Sequence, residues 1–213
     1  MNRNIAIILL IVASNPCPAN TVVVANKSIE AAHDTNSEKV ELKVPSILKQ
    51  GGTNWCWAAA GVHALNTYYH NKPIESETER RQQTLLRLIG TQDMFEYFMR
   101  KNFSRSQKGT PDMIYRKLQI HFHLADGPKW EWVLDRTKDE QFSLIIHNLR
   151  RGRPSCYSYR VGCNYHCVTI VGFEKVRGKV HTVTVVDSIT GGLCRKPACE
   201  VFRDMAYVFT TIP

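Results

Sequence analysis

Cys56, His166 and Asp187, in that chain order and with Gln50 six residues ahead of the cysteine, are residues whose types could do nucleophilic chemistry together. A cysteine in the first turn of a helix lies near the partial positive charge of unpaired N–H groups, which favours thiolate over thiol. A neighbouring imidazolium lowers the thiol pKa further and yields a nucleophile near neutral pH. Gln50 can bring a side-chain amide N–H beside that thiol. With the backbone N–H of Cys56 it would bind an oxyanion, and one such donor is typically worth ~3–4 kcal/mol in the transition state. Asp187 would accept from one imidazole nitrogen of His166 and fix its tautomer, leaving the other nitrogen to exchange a proton with Cys56 and then with a leaving amine. Each residue alone has a plainer role: a buried thiol in a small-residue helix, a hydrogen-bonded strand histidine, a turn-starting aspartate. Together they meet the nucleophile, base and orienting-group criterion of covalent catalysis.

These residues need elements to carry them. Gly51, Gly52, Thr53 and Asn54 form a flexible, capping-prone stretch, with Asn54 the expected N-cap. From Cys56 the chain turns small and apolar at helical spacing, with Ala59, Val62, Leu65 and Tyr69 near one face. A central helix that begins on a thiol is predicted. Residues 149–159 read as a helix end, a Gly-Pro turn and a strand. Residues 162–173 read as a loop leading into a strand with His166 at its entrance, and residues 180–187 as the hairpin partner that ends on Asp187. Antiparallel pairing across the short turn at 175–179 would set the start of one strand beside the end of the other. His166 and Asp187 would then meet across 21 residues of chain.

Gln50-x5-Cys56-Trp-Ala-Ala, Gly152-Arg-Pro154, Tyr165-His166-Cys-Val-Thr-Ile-Val-Gly-Phe173 and Val185-Val-Asp187-Ser resemble papain-like cysteine peptidases of the bacterial type. The patterns are similar to those of double-glycine leader peptidases and of secreted effector proteases with a Trp-Cys-Trp-Ala-Ala helix start. The resemblance spans residues 44–211. It implies an α+β, papain-like two-lobed fold: a helical lobe at about 44–118, an antiparallel β lobe at about 119–213, and a cleft between them. It implies Cys56 as nucleophile, His166 as general base and acid, Asp187 as orienting group and Gln50 as oxyanion donor, hydrolysing peptide bonds through a thioester. Trp55, Trp57 and Tyr165, beside the nucleophile and the base, are the expected substrate-binding residues. No cofactor or metal is implied, and the partner is a protein or peptide substrate. Two features depart from the pattern: Ser188 stands where many relatives carry Pro, and cysteines occur at 163, 167, 194 and 199.

The rest of the chain bounds this expectation. With 213 residues it fits one domain or one domain in two lobes, and 43% hydrophobic residues exclude a disordered chain. No apolar run reaches the ~18 residues of a spanning helix, which excludes a polytopic membrane protein. Arg3 followed by the nine apolar residues 5–13 suits a signal-peptide core, so residues 1–25 are expected to be a signal peptide, 26–43 a linker, and the protein secreted or periplasmic. A buried N-terminal element of a cytosolic protein is the alternative. Processing would remove Cys17 from the seven cysteines. Cys194 with Cys199, and Cys156 with Cys163, are then candidate disulfides, and Cys167 is the expected free thiol. A zinc site of Cys163, His166, Cys167 and Cys194 lacks the common ligand spacing. His121 and His123 alternate like a polar strand face.

The net charge of +9 gathers at Arg100, Lys101, Arg105 and Lys108 and again at Arg150, Arg151 and Arg153, with no nucleic-acid motif beside them. It reads as solvated surface, and no nucleic-acid partner or stable membrane insertion is expected. Between 75 and 117, Leu85, Leu88 and Ile89, then Phe95, Phe98 and Met99, mark core-packed helices. Other functions compatible with the same residues are acyl transfer, cell-wall amide hydrolysis, and a catalytically inactive binding or toxin module. A basic membrane- or nucleic-acid-binding protein is a further class. Oligomeric state has no signature in the sequence.

Overall fold

The structure, a computed structural model, describes residues 37–122, 130–133 and 135–211. The expected signal peptide, Cys17 and His123 lie outside the described residues. In chain order the elements are β1 (Ser37–Glu41), α1 (Cys56–Asn71), α2 (Glu77–Ile89), α3 (Gln92–Asn102), α4 (Pro111–Phe122), β2 (Trp130–Trp132) and α5 (Lys138–Arg150). After these come β3 (Ser155–Val161), β4 (Asn164–Val176), β5 (Lys179–Asp187), β6 (Gly192–Pro197), α6 (Ala198–Asp204) and β7 (Met205–Thr211). The fold class is α+β, with helices packed on an antiparallel sheet.

Helix α1 starts on Cys56, as the small-residue run predicts. Twelve of its sixteen residues are buried, so it is held by packing on several sides rather than by one amphipathic stripe. Its N-cap is Trp55, not Asn54, and no side chain caps it. The Asn54 amide donates instead to the carbonyl of Ser106 at 3.1 Å. The helix ends at Lys72, whose extended backbone suits the following Pro73. Helices α2 and α3 carry the two apolar sets expected between 75 and 117; Ile89, Phe95, Phe98 and Met99 are buried, but Leu86 rather than the exposed Leu88 joins them. His121 lies in α4 rather than in a strand: Pro111 sits in the first turn, and Ile114 and Leu118 are buried at helical spacing.

The sheet runs β2-β7-β3-β4-β5-β6, with β1 added to β4. Strand β4 is its hub. One side pairs with β5; the other pairs with β3 over Asn164–Ile170 and then with β1 over Gly172–Val176. Gly172 is required there, because a Cβ would lie 2.6 Å from the Val40 carbonyl. Residues 37–41, expected to be linker, are therefore a strand. Val40 packs into the core, and Glu38 accepts both N–H groups of an Arg150 fork at 2.7 Å.

The sheet is buried on both faces. Cys156, Cys167 and Phe209 face α1, and their neighbours Tyr157, Val168 and Val208 face α5 and α6. This alternation explains the continuous apolar run of β4, since both sets of alternate side chains leave water. Two sequence boundaries shift accordingly. The expected limit between lobes at 118/119 falls inside α4, and the β half includes α5, which carries a full Thr137–Glu140 capping box.

Candidate active site

Three elements bring the predicted residues together. Cys56 occupies the first position of α1, His166 is the third residue of β4, and Asp187 is the last residue of β5. His166 is thus inside its strand rather than at the entrance, paired with Tyr159 of β3. Its Nε2–H donates to Oδ1 of Asp187 at 2.9 Å, and both side chains are buried. The Cys56 thiol interacts with the same imidazole, and with Nε2 on Asp187 the nitrogen left for the sulfur is Nδ1.

Burial opposes charge on His166, but the Asp187 carboxylate and the Cys56 sulfur outweigh it and push the imidazole up to about 9. Burial likewise raises the Cys56 thiol. The His166 hydrogen bond, the backbone N–H of Cys167, the His166 charge and the backbone N–H of Trp57 reverse this and leave it below the ordinary thiol value. Asp187 is opposed by burial too, yet His166 and the Ile189 N–H at 2.8 Å keep it below the usual carboxylate range. Cys167 moves the other way: the neighbouring Cys156 thiol and burial hold it protonated. Of these thiols, Cys56 is the one poised as thiolate.

Gln50 is set by a chain of small contacts. The extended segment before α1 is pinned residue by residue. The Leu48 N–H donates to Nε2 of His63 at 2.8 Å, and Lys49 exchanges two 2.8 Å hydrogen bonds with the Gln92 amide. The Gln50 N–H donates to the carbonyl of Ser188 at 3.0 Å. The Ser188 hydroxyl donates to Oε1 of Gln50 at 2.9 Å, so the amide turns its Nε2 end away from Ser188. One Nε2–H reaches the Thr53 carbonyl at 3.0 Å, and the other remains for a ligand. Ser188 is therefore a positioning residue, although in the sequence it stands out only by not being Pro. Its signal is chemical: a hydroxyl directly after Asp187, near a glutamine that needs orienting.

A cleft of about 770 Å³ opens over the thiol and is lined by Gln50, Cys56, Trp57, Tyr165 and His166 among others. Trp57 and Tyr165 thus reach it, but Trp55 does not. Trp55 is buried behind the cleft, edge-on to Phe95, with its indole N–H on the Ser104 carbonyl at 2.8 Å. Trp57 donates similarly to the Gln107 carbonyl at 3.2 Å. The tryptophans and Asn54 fasten the 104–109 loop to the start of α1.

Comparison with protein-family models and with curated proteins finds no match. Among solved structures, the chain is similar to PepW from Lactobacillus strain HN001, at 11% identity over 82% of each chain with a TM-score of 0.48. It is also similar to a structure from work on the mite allergens Blo t 1 and Der p 1, at 15% identity over 88% of this chain and 75% of that one, TM-score 0.43. A third is the bromelain protease of Ananas comosus in complex with the E64 inhibitor, at 13% identity over 83% of this chain and 99% of that one, TM-score 0.42. At similarities this low, the chemistry of the site is defined by its own side-chain geometry.

The other cysteines among the described residues are unpaired. Cys156, Cys163, Cys167, Cys194 and Cys199 are free thiols, as is Cys56. Cys156 points into the core with its sulfur 3.4 Å from the Ala60 carbonyl, whereas Cys163 lies exposed in the β3–β4 turn. Cys194 sits in β6 beside Thr190, and Cys199 is exposed on α6. Neither expected disulfide is present among the described residues. His166 of the four-ligand zinc alternative is already engaged by Asp187 and Cys56, and no group of three His, Cys, Asp or Glu among the described residues is arranged for a metal.

Proposed function

We propose that this chain is a cysteine peptidase of papain-like mechanism. The observation that carries the reading is the constellation Cys56–His166–Asp187, with His166 held on Asp187 at 2.9 Å, the neighbouring thiol lowered and the imidazole raised. In that state the pair is a thiolate and an imidazolium. The thiolate adds to the substrate carbonyl carbon, and the oxygen takes the negative charge. The free Nε2–H of Gln50 and the backbone N–H of Cys56, which has no acceptor within the helix at this position, are the donors for that oxyanion. As the C–N bond breaks, His166 gives its Nδ1 proton to the leaving amine, and a thioester to Cys56 remains. His166, now neutral, takes a proton from water. The hydroxide adds to the thioester, the carboxylic product leaves, and the thiolate–imidazolium pair is restored. Throughout, Asp187 holds the ring and its charge but keeps its own proton state.

Replacing Cys56 with Ala should abolish peptide hydrolysis and remove Cys56 from the peptides labelled by a thiol-directed electrophile. Turnover retained by this variant would overturn the assignment. The Gln50-x5-Cys56-Trp-Ala-Ala motif favours the bacterial subtype of double-glycine leader or secreted effector peptidases, and the apolar run at 5–13 favours an exported protein. Peptide-library cleavage and N-terminal sequencing of the mature protein from cell fractions test these two finer readings.

A further inference from the structure

We propose that Lys108 reads a carboxylate on the peptide substrate, selecting sequences that place an acidic side chain or a chain end close to a bulky apolar residue. The inference rests on the peptidase reading and assigns its substrate class.

Lys108 lies in the 104–109 loop and lines the same cleft as Cys56 and His166. Its ammonium donates to Oδ1 of Asn164 at 3.0 Å, across from the helical wall to the turn that begins β4. That acceptor is a neutral amide. No carboxylate pairs with Lys108 among the described residues, and no Asp or Glu lines the cleft. Some surface cations elsewhere do pair with acids, as Arg100 does with Glu96, Arg116 with Asp112 and Arg150 with Glu38. An ammonium has three N–H donors, so at least two remain for a ligand, and a carboxylate accepts more strongly than an amide does.

The loop that carries this charge is preorganised. Asn54 donates its backbone N–H to the Arg105 carbonyl at 3.0 Å and its side chain to Ser106, Trp55 donates to Ser104, and Trp57 to Gln107. Gly109 lies so close to Trp57 that a Cβ would approach the indole to 2.6 Å. Lys108 is therefore fixed relative to the nucleophile two positions after Asn54, and ordering it costs little on binding.

The rest of the cleft fits a peptide with an apolar residue. Val161, Tyr165, Ile189 and Tyr207 line it while remaining 42–56% exposed, so four large apolar side chains stand in water around one opening. Large apolar groups concentrated at one site mark a binding surface. A basic residue there would meet Lys108 with no acid to offset it.

The test uses matched peptides built around one bulky apolar residue. They differ only by Glu against Gln at successive positions, each with a free or an amidated C-terminus. Wild type should favour the carboxylate form by about fivefold in kcat/KM, expressed in KM and shrinking as salt is raised. Lys108→Gln should erase the difference, and Lys108→Glu should turn the preference toward the Gln and amidated forms. Thermal melting of both variants reports whether the fold is kept. Preference that follows Glu identifies an acidic side chain; preference that follows the free terminus identifies a chain end. Hydrolysis of all the peptides at equal rates, or a preference that survives Lys108→Gln, would overturn the role of Lys108 alone. If no peptide is cleaved although Cys56 is labelled by chloroacetamide, the peptidase reading falls and this inference with it.

Discussion

The His166 imidazole has two neighbours that raise its affinity for a proton, and removing the Asp187 carboxylate should show in a pH profile. With the Cys56 thiol lowered and His166 raised to about 9, a thiolate–imidazolium pair is favoured below about pH 9. Activity should therefore fall as pH rises through about 9, where the imidazolium loses its proton. In Asp187→Asn the carboxylate that favours the imidazolium is gone, so this basic limb should move to lower pH, with a fall in kcat. A limb unmoved in that variant would assign the titration to another group. The same raised His166 value stabilises the fold fully below the ordinary histidine pKa of ~6.5, and that stability is lost as pH rises through about 9. Ser188 offers a second test at this scale. Ser188→Ala frees the Gln50 amide to rotate, and kcat should drop about fivefold, the value of one neutral hydrogen bond of ~1 kcal/mol, with little change in KM. A pure loss of stability would lower the melting temperature and leave kcat of the folded enzyme intact.

Among the elements, the 104–109 loop shows how position can depend on distant partners. Gly109→Ala would drive a methyl group into the Trp57 ring, and overpacking of this kind costs about 1–3 kcal/mol. The variant should melt several degrees lower and raise KM, because the loop lines the cleft; unchanged melting and KM would show that the loop yields at no cost. Nothing local in residues 104–109 announces this role, since each anchor is an indole or amide about fifty residues away. Helix α1, by contrast, is readable in the sequence, because its small residues and its abrupt start after two glycines are local signals. The His166–Asp187 contact is readable for a related reason: a short hairpin turns sequence spacing into spatial register. Trp55 is not, because an indole beside a nucleophile reads the same whether it faces the cleft or the core. Only its packing against Phe95 decides.

At the scale of the whole molecule, the sheet separates two hydrophobic layers and carries His166 and Asp187 on its neighbouring strands β4 and β5. Cys56 packs against the first layer, so it meets His166 only when α1 docks on the face that holds Cys156 and Cys167. That dependence is long-range in sequence, and composition alone could not show it. Of the 28 Lys and Arg side chains some are paired with local acids, such as Arg100 with Glu96 and Arg150 with Glu38. The Glu38–Arg150 contact also reaches from a segment expected to be linker to the end of α5, and so ties the chain before residue 44 to the body of the fold.

Strand β1 decides where this chain can be shortened. A protein that begins at residue 37 keeps the pairing of Ser37–Glu41 with Gly172–Val176. One that begins at residue 44 leaves that stretch of β4 with open N–H and C=O groups, a template on which another chain can add. The shorter protein should self-associate in light scattering at concentrations where the longer one does not. Any cleavage after residue 41 would strip β4 of its partner along Gly172–Val176, so removal of five residues should change how the whole protein associates.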